Sequence, residues 1–336
     1  MKHWLLRSCM LLASATPVCA SDFYAGKTVS LIVGSGAGGG FDTYARFFSR
    51  YFGKHIPGNP TIVVRNMPGA GGLTATGHVY NVAPRDGTVI LHTNPINTLE
   101  PLLNPANSRF DARRFQWIGS LNKEIKVCAF WSDKVSSVDD LLTQELVLAA
   151  SGPASGATID AKALQQVFGF KFRLVAGYND TTASELASRR GETDGFCGLA
   201  VSRLKNTLSA EFKAGKIRIP IQMALERHPD LPDVPGVFDL VKSEETRHFL
   251  NMLYAPWTYG QPVAAPPDTP SDRVAILRDA FVSTMQDGTL IQEANRINME
   301  INWVPGADIN KIIDDIYKSS PEVIERAREI YGAKSK

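Results

Sequence analysis

The chain has 336 residues with 36 Lys and Arg against 34 Asp and Glu, a balance that offers no basic face for nucleic acid or an anionic membrane. Lys2 and Arg7, an apolar run over 5–15 and the small residues Val18-Cys19-Ala20 read as a secretory leader cleaved after Ala20. No later stretch reaches the ~20 apolar residues that a membrane-spanning helix needs, so an exported, periplasmic protein is expected.

In chain order, a β-branched run at 29–33 predicts a strand, followed at once by Gly34-Ser35-Gly36-Ala37-Gly38-Gly39-Gly40-Phe41-Asp42 and a helix over 43–52. Tyr44, Phe47, Phe48, Tyr51 and Phe52 recur on one face of that helix, which makes them core rather than a stacking platform. The order then repeats: a strand at 61–64, the loop Asn66-Met67-Pro68-Gly69-Ala70-Gly71-Gly72, a helix over 73–83 and a strand at 88–92. Each loop leaves unpaired N–H groups at a helix N-terminus, where the dipole adds roughly half a positive charge. Two such termini side by side suit the two oxygens of a carboxylate.

A second unit begins near Leu121. A strand at 146–150 leads into the small-residue turn Ser151-Gly152-Pro153-Ala154-Ser155-Gly156 and a helix over 158–168. A strand at 170–174, the turn at Gly177-Tyr178, a helix over 182–190 and strands at 192–197 and 218–223 follow. Thr269-Pro270 and Ser320-Pro321 open helices over 271–285 and 322–331. Helices following strands throughout predict an α/β fold of two lobes, each a mostly parallel sheet flanked by helices, with ligands outside the carboxyl ends of the strands. The chain crosses between lobes near 119–130 and 254–267.

Chemistry-bearing clusters are sparse. Cys128 and Cys197 remain after leader removal, without metal-type spacing; export permits a disulfide, but two buried thiols are the plainer expectation. His55, His78, His92, His228 and His248 show no i, i+4 pairing, so neither a metal nor another cofactor is expected. Gly34, Gly36 and Gly39 satisfy a dinucleotide fingerprint, with Arg65 placed where a 2′-phosphate would want a cation, but no acidic residue closes the second strand to hold a ribose. An exported α/β hydrolase would need a nucleophile with a positioned base, and no histidine offers one.

Taken together, Ala37–Asp42 (AGGGxD), Asn66–Gly72 (NxPGAGG), Ala83–Thr88 (APxDGT), Gly177-Tyr178, Gly191–Gly195 (GExDG), 228–235 (HPDLPDVP) and Ala265–Arg273 (APPxxPxxR) resemble the solute receptors of tripartite tricarboxylate transporters, the TctC-like or Bug family. Many members carry Pro-Phe where Gly34-Ser35 stands here, and Pro-Tyr-Lys-Gly where Ala176-Gly177-Tyr178-Asn179 stands. The resemblance implies a class II periplasmic-binding-protein architecture, with 21–119 plus 256–336 as lobe 1 and 120–255 as lobe 2. It implies a non-enzymatic, monomeric receptor that binds a small carboxylate and delivers it to membrane transporter subunits. Lobe 1 would hold the carboxyl group through Ser35, Gly36, Ala37, Gly38 and Gly39 with Pro68, Gly69, Ala70, Gly71 and Gly72. Lobe 2 would meet the distal group through Ser151, Ser155, Gly156, Thr158, Tyr178 and Asp194. Asp42 is expected as a first-turn acid or a ligand contact, Asn66 as a turn residue or an amide donor, and Asp194 as a backbone-satisfying residue or an acceptor at a strand mouth.

Overall fold

The computed structural model describes residues 23–106, 108–150, 155–178 and 181–331. The expected leader, residues 1–20, lies outside them, as does Ser151. The chain first lays down β1 (Thr28–Val33), β2 (Thr61–Asn66), β3 (Val89–His92) and β4 (Gln116–Ser120). It then crosses to build β5 (Lys126–Phe130), β6 (Leu146–Ala150), β7 (Phe172–Ala176), β8 (Gly195–Ala200) and β9 (Arg218–Met223), and returns for β10 (Pro262–Ala265) and β11 (Val304–Pro305). Two sheets result, ordered β11-β4-β10-β3-β1-β2 and β7-β6-β8-β5-β9.

Neither sheet is as uniformly parallel as the sequence order suggests. β1 pairs in parallel with β2 and β3, and β6 with β7 and β8, but β10 runs antiparallel to β3 and β4, and β5 antiparallel to β8 and β9. The reversed strands are those adjoining the crossings, where a chain leaving one sheet enters the other from the opposite end. Mixed sheets with a parallel centre are thus a consequence of the two-lobe path.

Burial follows residue chemistry. Val29, Leu31 and Val33 of β1 face the helix Gly40–Phe52, whose Tyr44, Phe47, Phe48 and Phe52 are buried, with Phe48 stacked on Phe52 and beside Phe281 of the helix Ser271–Met285. Ile32, pointing the other way, meets Ala75 and Val79 of the helix Leu73–Asn81 and Ile309 and Ile313 of the helix Gly306–Tyr317. Each fully buried Phe or Leu contributes about 1.5–3 kcal/mol relative to exposure, so these two faces fix the first sheet. The second sheet is covered likewise by the helices Gly156–Phe168 and Glu244–Tyr254.

Two further findings depart from expectation. Cys128 and Cys197 form a disulfide, not a pair of free thiols. They lie directly opposite each other in the antiparallel β5–β8 pair, a proximity that 69 residues of sequence separation conceals. The helix Pro321–Tyr331, expected with lobe 1, packs instead against the helices Glu244–Tyr254, Glu100–Leu103 and Gly156–Phe168, with Val323, Ala327 and Ile330 in the core of the second sheet.

Candidate functional site

The two glycine loops stand together because β1 and β2 are parallel neighbours ending at Val33 opposite Asn66. Met67 N–H donates to the Val33 carbonyl at 2.8 Å, and Gly34 N–H donates to the His92 carbonyl at 2.9 Å, so both loops leave the sheet from its carboxyl edge. A Cβ on Gly34 would lie 3.0 Å from Gly72 Cα, which shows how closely the loops pass. Gly69, Ala70, Gly71 and Gly72 all have positive φ, at 137°, 47°, 66° and 99°. For Ala70 that conformation costs about 1–2 kcal/mol, a strain sustained by the surrounding bonds.

Successive left-handed residues turn their N–H groups toward one concavity, an anion-binding arrangement. Among the described residues, the N–H groups of Gly36, Ala37, Gly69, Ala70 and Gly71 donate to no protein acceptor, and all of these residues are exposed. Thr93 and Asn97 support the second loop from below: Asn97 Nδ2 donates to the Gly71 carbonyl at 3.3 Å and to Thr93 Oγ1 at 3.0 Å, and Thr76 Oγ1 donates to the Gly72 carbonyl at 2.9 Å. Sequence reasoning did not single out Thr93 and Asn97. Their signal was the polar run Thr93, Asn94, Asn97 and Thr98 just after the buried strand Val89–His92.

Asp42 and Asn66, each expected either as a structural residue or as a ligand contact, make their hydrogen bonds within the protein. Asp42 Oδ2 accepts from Gly38 N–H and Arg46 Nε, both at 2.8 Å, and Oδ1 accepts from Asn66 Nδ2 at 2.8 Å. Asn66 Nδ2 also donates to the Ser35 carbonyl, and its Oδ1 accepts from Arg46 Nη2, both at 3.0 Å. Burial alone would raise the Asp42 pKa, but the bonds from Arg46, Gly38 and Asn66 outweigh it and hold the carboxyl below its ordinary value. Asp42 is 2% exposed. It therefore ties the two loops to each other.

In the second lobe, Ser155 Oγ caps the helix Gly156–Phe168 by accepting from Thr158 N–H at 3.3 Å, and the two hydroxyls pair at 2.9 Å. Tyr178 donates its N–H to the Ala150 carbonyl at 3.2 Å, at the carboxyl end of β6 and β7, and packs half-buried against the apolar cluster that includes Ala149 and Phe196. Asp194 does not join them. Its Oδ2 accepts from Val147 N–H at 2.8 Å and from Lys134 Nζ at 3.2 Å, which places it at the amino end of β6 and β8, the far edge of the sheet from Tyr178. It is an edge tie, the backbone-satisfying one of the two roles expected for it, and it does not share the strand mouth where Tyr178 lies.

Between the lobes lies a buried polar group that sequence patterning did not mark. Glu124 and Lys126 come from the first crossing, Trp257 and Gln261 from the second, Asp160 from the helix Gly156–Phe168 and His92 from the end of β3; all six are less than a tenth exposed. Burial pushes Glu124 up to about 7, against the Ser202 hydrogen bond and the Lys126 charge, and pushes Asp160 up to about 6 against Lys126. Burial lowers Lys126, with Asp160 and Glu124 opposing. His92 Nδ1 lies 2.9 Å from the Pro262 carbonyl and so carries the ring proton of the neutral form, which burial favours by lowering its pKa to about 4. His92 Nε2, Gln261 Oε1 and Asp160 Oδ2 are buried without a hydrogen-bond partner.

A family model described as the tripartite tricarboxylate transporter family receptor matches residues 54–328. The chain belongs to this family. A UPF0065 protein of Bordetella bronchiseptica is 23% identical to this receptor over 263 residues, 75% of this chain and 74% of that protein. The structure of periplasmic binding protein BugD superposes with a TM-score of 0.69 at 20% identity, covering 93% of this chain and 100% of BugD. A protein of Rhodopseudomonas palustris with bound malate gives a TM-score of 0.66 at 18% identity, covering 91% and 99%. These superpositions establish the two-lobed binding-protein fold for the receptor. Among its described residues no helix is long and apolar enough to cross a membrane.

Proposed function

We propose that this receptor captures a small carboxylate in the periplasm, after cleavage of its leader behind Ala20, and delivers it to a membrane transporter of the tripartite tricarboxylate type. It acts as a monomer and performs no chemistry on the ligand. The observation that carries this reading is the paired set of unspent N–H groups at Gly36–Ala37 and Gly69–Gly71, held on adjacent loops by Asp42 and Asn66. Such groups bind a carboxylate without a compensating side-chain charge, which agrees with the near balance of acidic and basic residues. The malate seen in the Rhodopseudomonas palustris protein is a ligand of that chemistry. Lobe 1, residues 21–119 with 256–320, would supply the carboxylate loops, and lobe 2, residues 120–255 with the helix Pro321–Tyr331, would close over them from the side of Ser155, Gly156, Thr158 and Tyr178.

A thermal-shift screen against organic acids tests the proposal. Ligand at 100 times its Kd adds about 2.7 kcal/mol to stability, a shift of several degrees in a chain of this size. Carboxylates should raise the midpoint while matched alcohols and amides do not. A screen in which no carboxylate shifts the midpoint, at concentrations up to tens of millimolar, would refute it.

A further inference from the structure

We infer that Lys205 and Glu300 form an ionic clasp between the lobes, set up by the turn His228-Pro229-Asp230, which holds the lobes in the arrangement seen here and is released when they part. The inference concerns the receptor without ligand and so stands or falls independently of the carboxylate reading.

The clasp has one arm in each lobe. Lys205 ends the helix Val201–Lys205 that follows β8, and Glu300 lies in the segment between the helix Gly288–Arg296 and β11. Lys205 Nζ stands 2.7 Å from Glu300 Oε1 and 2.6 Å from Asp230 Oδ2. The buried His228 ring presents Nε2 to the same Glu300 oxygen at 3.5 Å. Lys205 and His228 of the second lobe thus converge on one carboxylate of the first.

Both arms are rigidly mounted. Gln222 of β9 is fully buried and spends its side chain on the turn: Oε1 accepts from His228 N–H, and Nε2 donates to the Leu231 and Val234 carbonyls, each at 2.8 Å. On the other arm the Glu300 carbonyl accepts from Tyr44 Oη at 2.9 Å, and Asn302 N–H donates to Asn122 Oδ1 at 3.0 Å. The soft element between these mounts is the joint of the lobes, so the clasp registers their relative position.

His228, Asp230 and Glu300 also make up the donor set of a divalent-metal site, with ligand atoms within 4.8 Å of one another. Two observations assign the place of the cation to the ammonium instead. Asp230 N–H donates to His228 Nδ1 at 3.0 Å, so the neutral ring carries its proton on Nε2, and the nitrogen that faces Glu300 is a donor rather than a metal ligand. Lys205 Nζ, moreover, already lies within hydrogen-bond length of both carboxylates. The His228 hydrogen bond and the Lys205 charge hold Glu300 below its ordinary value against burial, which keeps the pair ionised.

Release costs little. Lys205 keeps Asp230 as a partner when the lobes part, and the Glu300 side chain, already 25% exposed, gains water. A tie of this kind stabilises modestly and is screened by salt, which suits a receptor that must open and close.

The test is double electron–electron resonance on the mature, ligand-free protein, with nitroxides attached through Val82→Cys and Leu186→Cys, exposed positions of the first and second lobe; Cys128 and Cys197, bonded to each other, take no label. The parent should show one main interlobe distance. Lys205→Glu and Glu300→Lys should each raise the population outside that peak about two- to fivefold, the range of a half-exposed ion pair, and ~1 M salt should do the same to the parent. Combining Lys205→Glu with Glu300→Lys sets a cation of the first lobe against two carboxylates of the second, and should return the parent's distribution. Lys205→Met and Glu300→Gln, which remove the charge and keep the bulk, should give the same change on a smaller scale and carry the test if a reversal does not fold. A reversal or neutral variant that leaves the distribution unchanged overturns the inference. So does a combined variant no closer to the parent than the single ones, or a parent already spread over several distances at low salt.

Discussion

Replacing Asp42 by asparagine probes the joint between the two glycine loops. The new side chain keeps the shape but carries one oxygen and one NH2 group where there were two acceptors. If the oxygen stays with Gly38 N–H and Arg46 Nε, the NH2 group faces Asn66 Nδ2, a donor against a donor. Turning the Asn66 amide to relieve this breaks its bonds to the Ser35 carbonyl and to Arg46. One charge-assisted bond is therefore lost in a buried setting whichever way the amides turn, at a cost of about 1.5–3 kcal/mol. For a chain of this size that corresponds to a fall of about 3–8 °C in the unfolding midpoint at pH 7. Because the folded pKa of Asp42 lies below its ordinary value, its stabilisation is present above that value and fades as the pH falls through the folded pKa. Parent and variant should accordingly converge in urea melts as the pH drops below about 4. Carboxylate affinity should fall as well, since the loops lose their mutual register. A variant within 0.5 °C of the parent at pH 7, with intact affinity, would show that the Asp42 network does not organise the site.

Other consequences can be measured separately. Gly72→Ala places a Cβ 2.9 Å from Thr93 Oγ1 and Asn97 Nδ2 at a φ of 99°, and should cost of order 1–3 kcal/mol, whereas Gly36→Ala meets nothing within 4 Å and should leave the melting curve unchanged. Calorimetry of the two variants side by side checks the contrast. Reducing the Cys128–Cys197 bridge, or replacing both cysteines by alanine, opens a 69-residue loop in the unfolded chain and should remove up to about 4 kcal/mol in denaturant titrations. Glu124 is raised to about 7, so the native state binds the extra proton and stability declines as the pH rises from the ordinary carboxylate range toward 7. Glu124→Gln should flatten that slope, and a stability profile between pH 5 and 8 identical to the parent's would contradict the assignment.

The loops were legible because glycine density directly after β-branched runs leaves few conformations open, and the core helix because an aromatic face seeks burial: Tyr44, Phe47, Phe48 and Phe52 are buried, while Tyr51 packs half-buried at the edge. The same local logic left two roles open at Asp194: GExDG marks a turn into a strand, but a short motif does not say which end of a sheet that turn occupies. Lys126, Glu124 and Gln261 were illegible for a different reason. Their importance comes from two chain crossings packing together, with Gly260 seated so tightly on Glu124 that a Cβ would lie 2.4 Å from its own. Residues 123–126 and 257–261 carry no periodicity linking them. The Cys128–Cys197 bridge likewise depends on strand order, which spacing alone leaves open.

The docking of the helix Pro321–Tyr331 on the core of the second sheet means that the polypeptide passes between the lobes a third time, at 318–320. Two straps permit twisting as well as bending; a third, anchored at a separate point, narrows relative movement toward rotation about one axis. The carboxyl terminus then packs with the second lobe, a placement its position after β11 in the sequence does not reveal. A chain ending at Ser320 would uncover Ile316, Phe249 and Leu103, the apolar residues this helix shields, and would lose the constraint and the solubility of that face together.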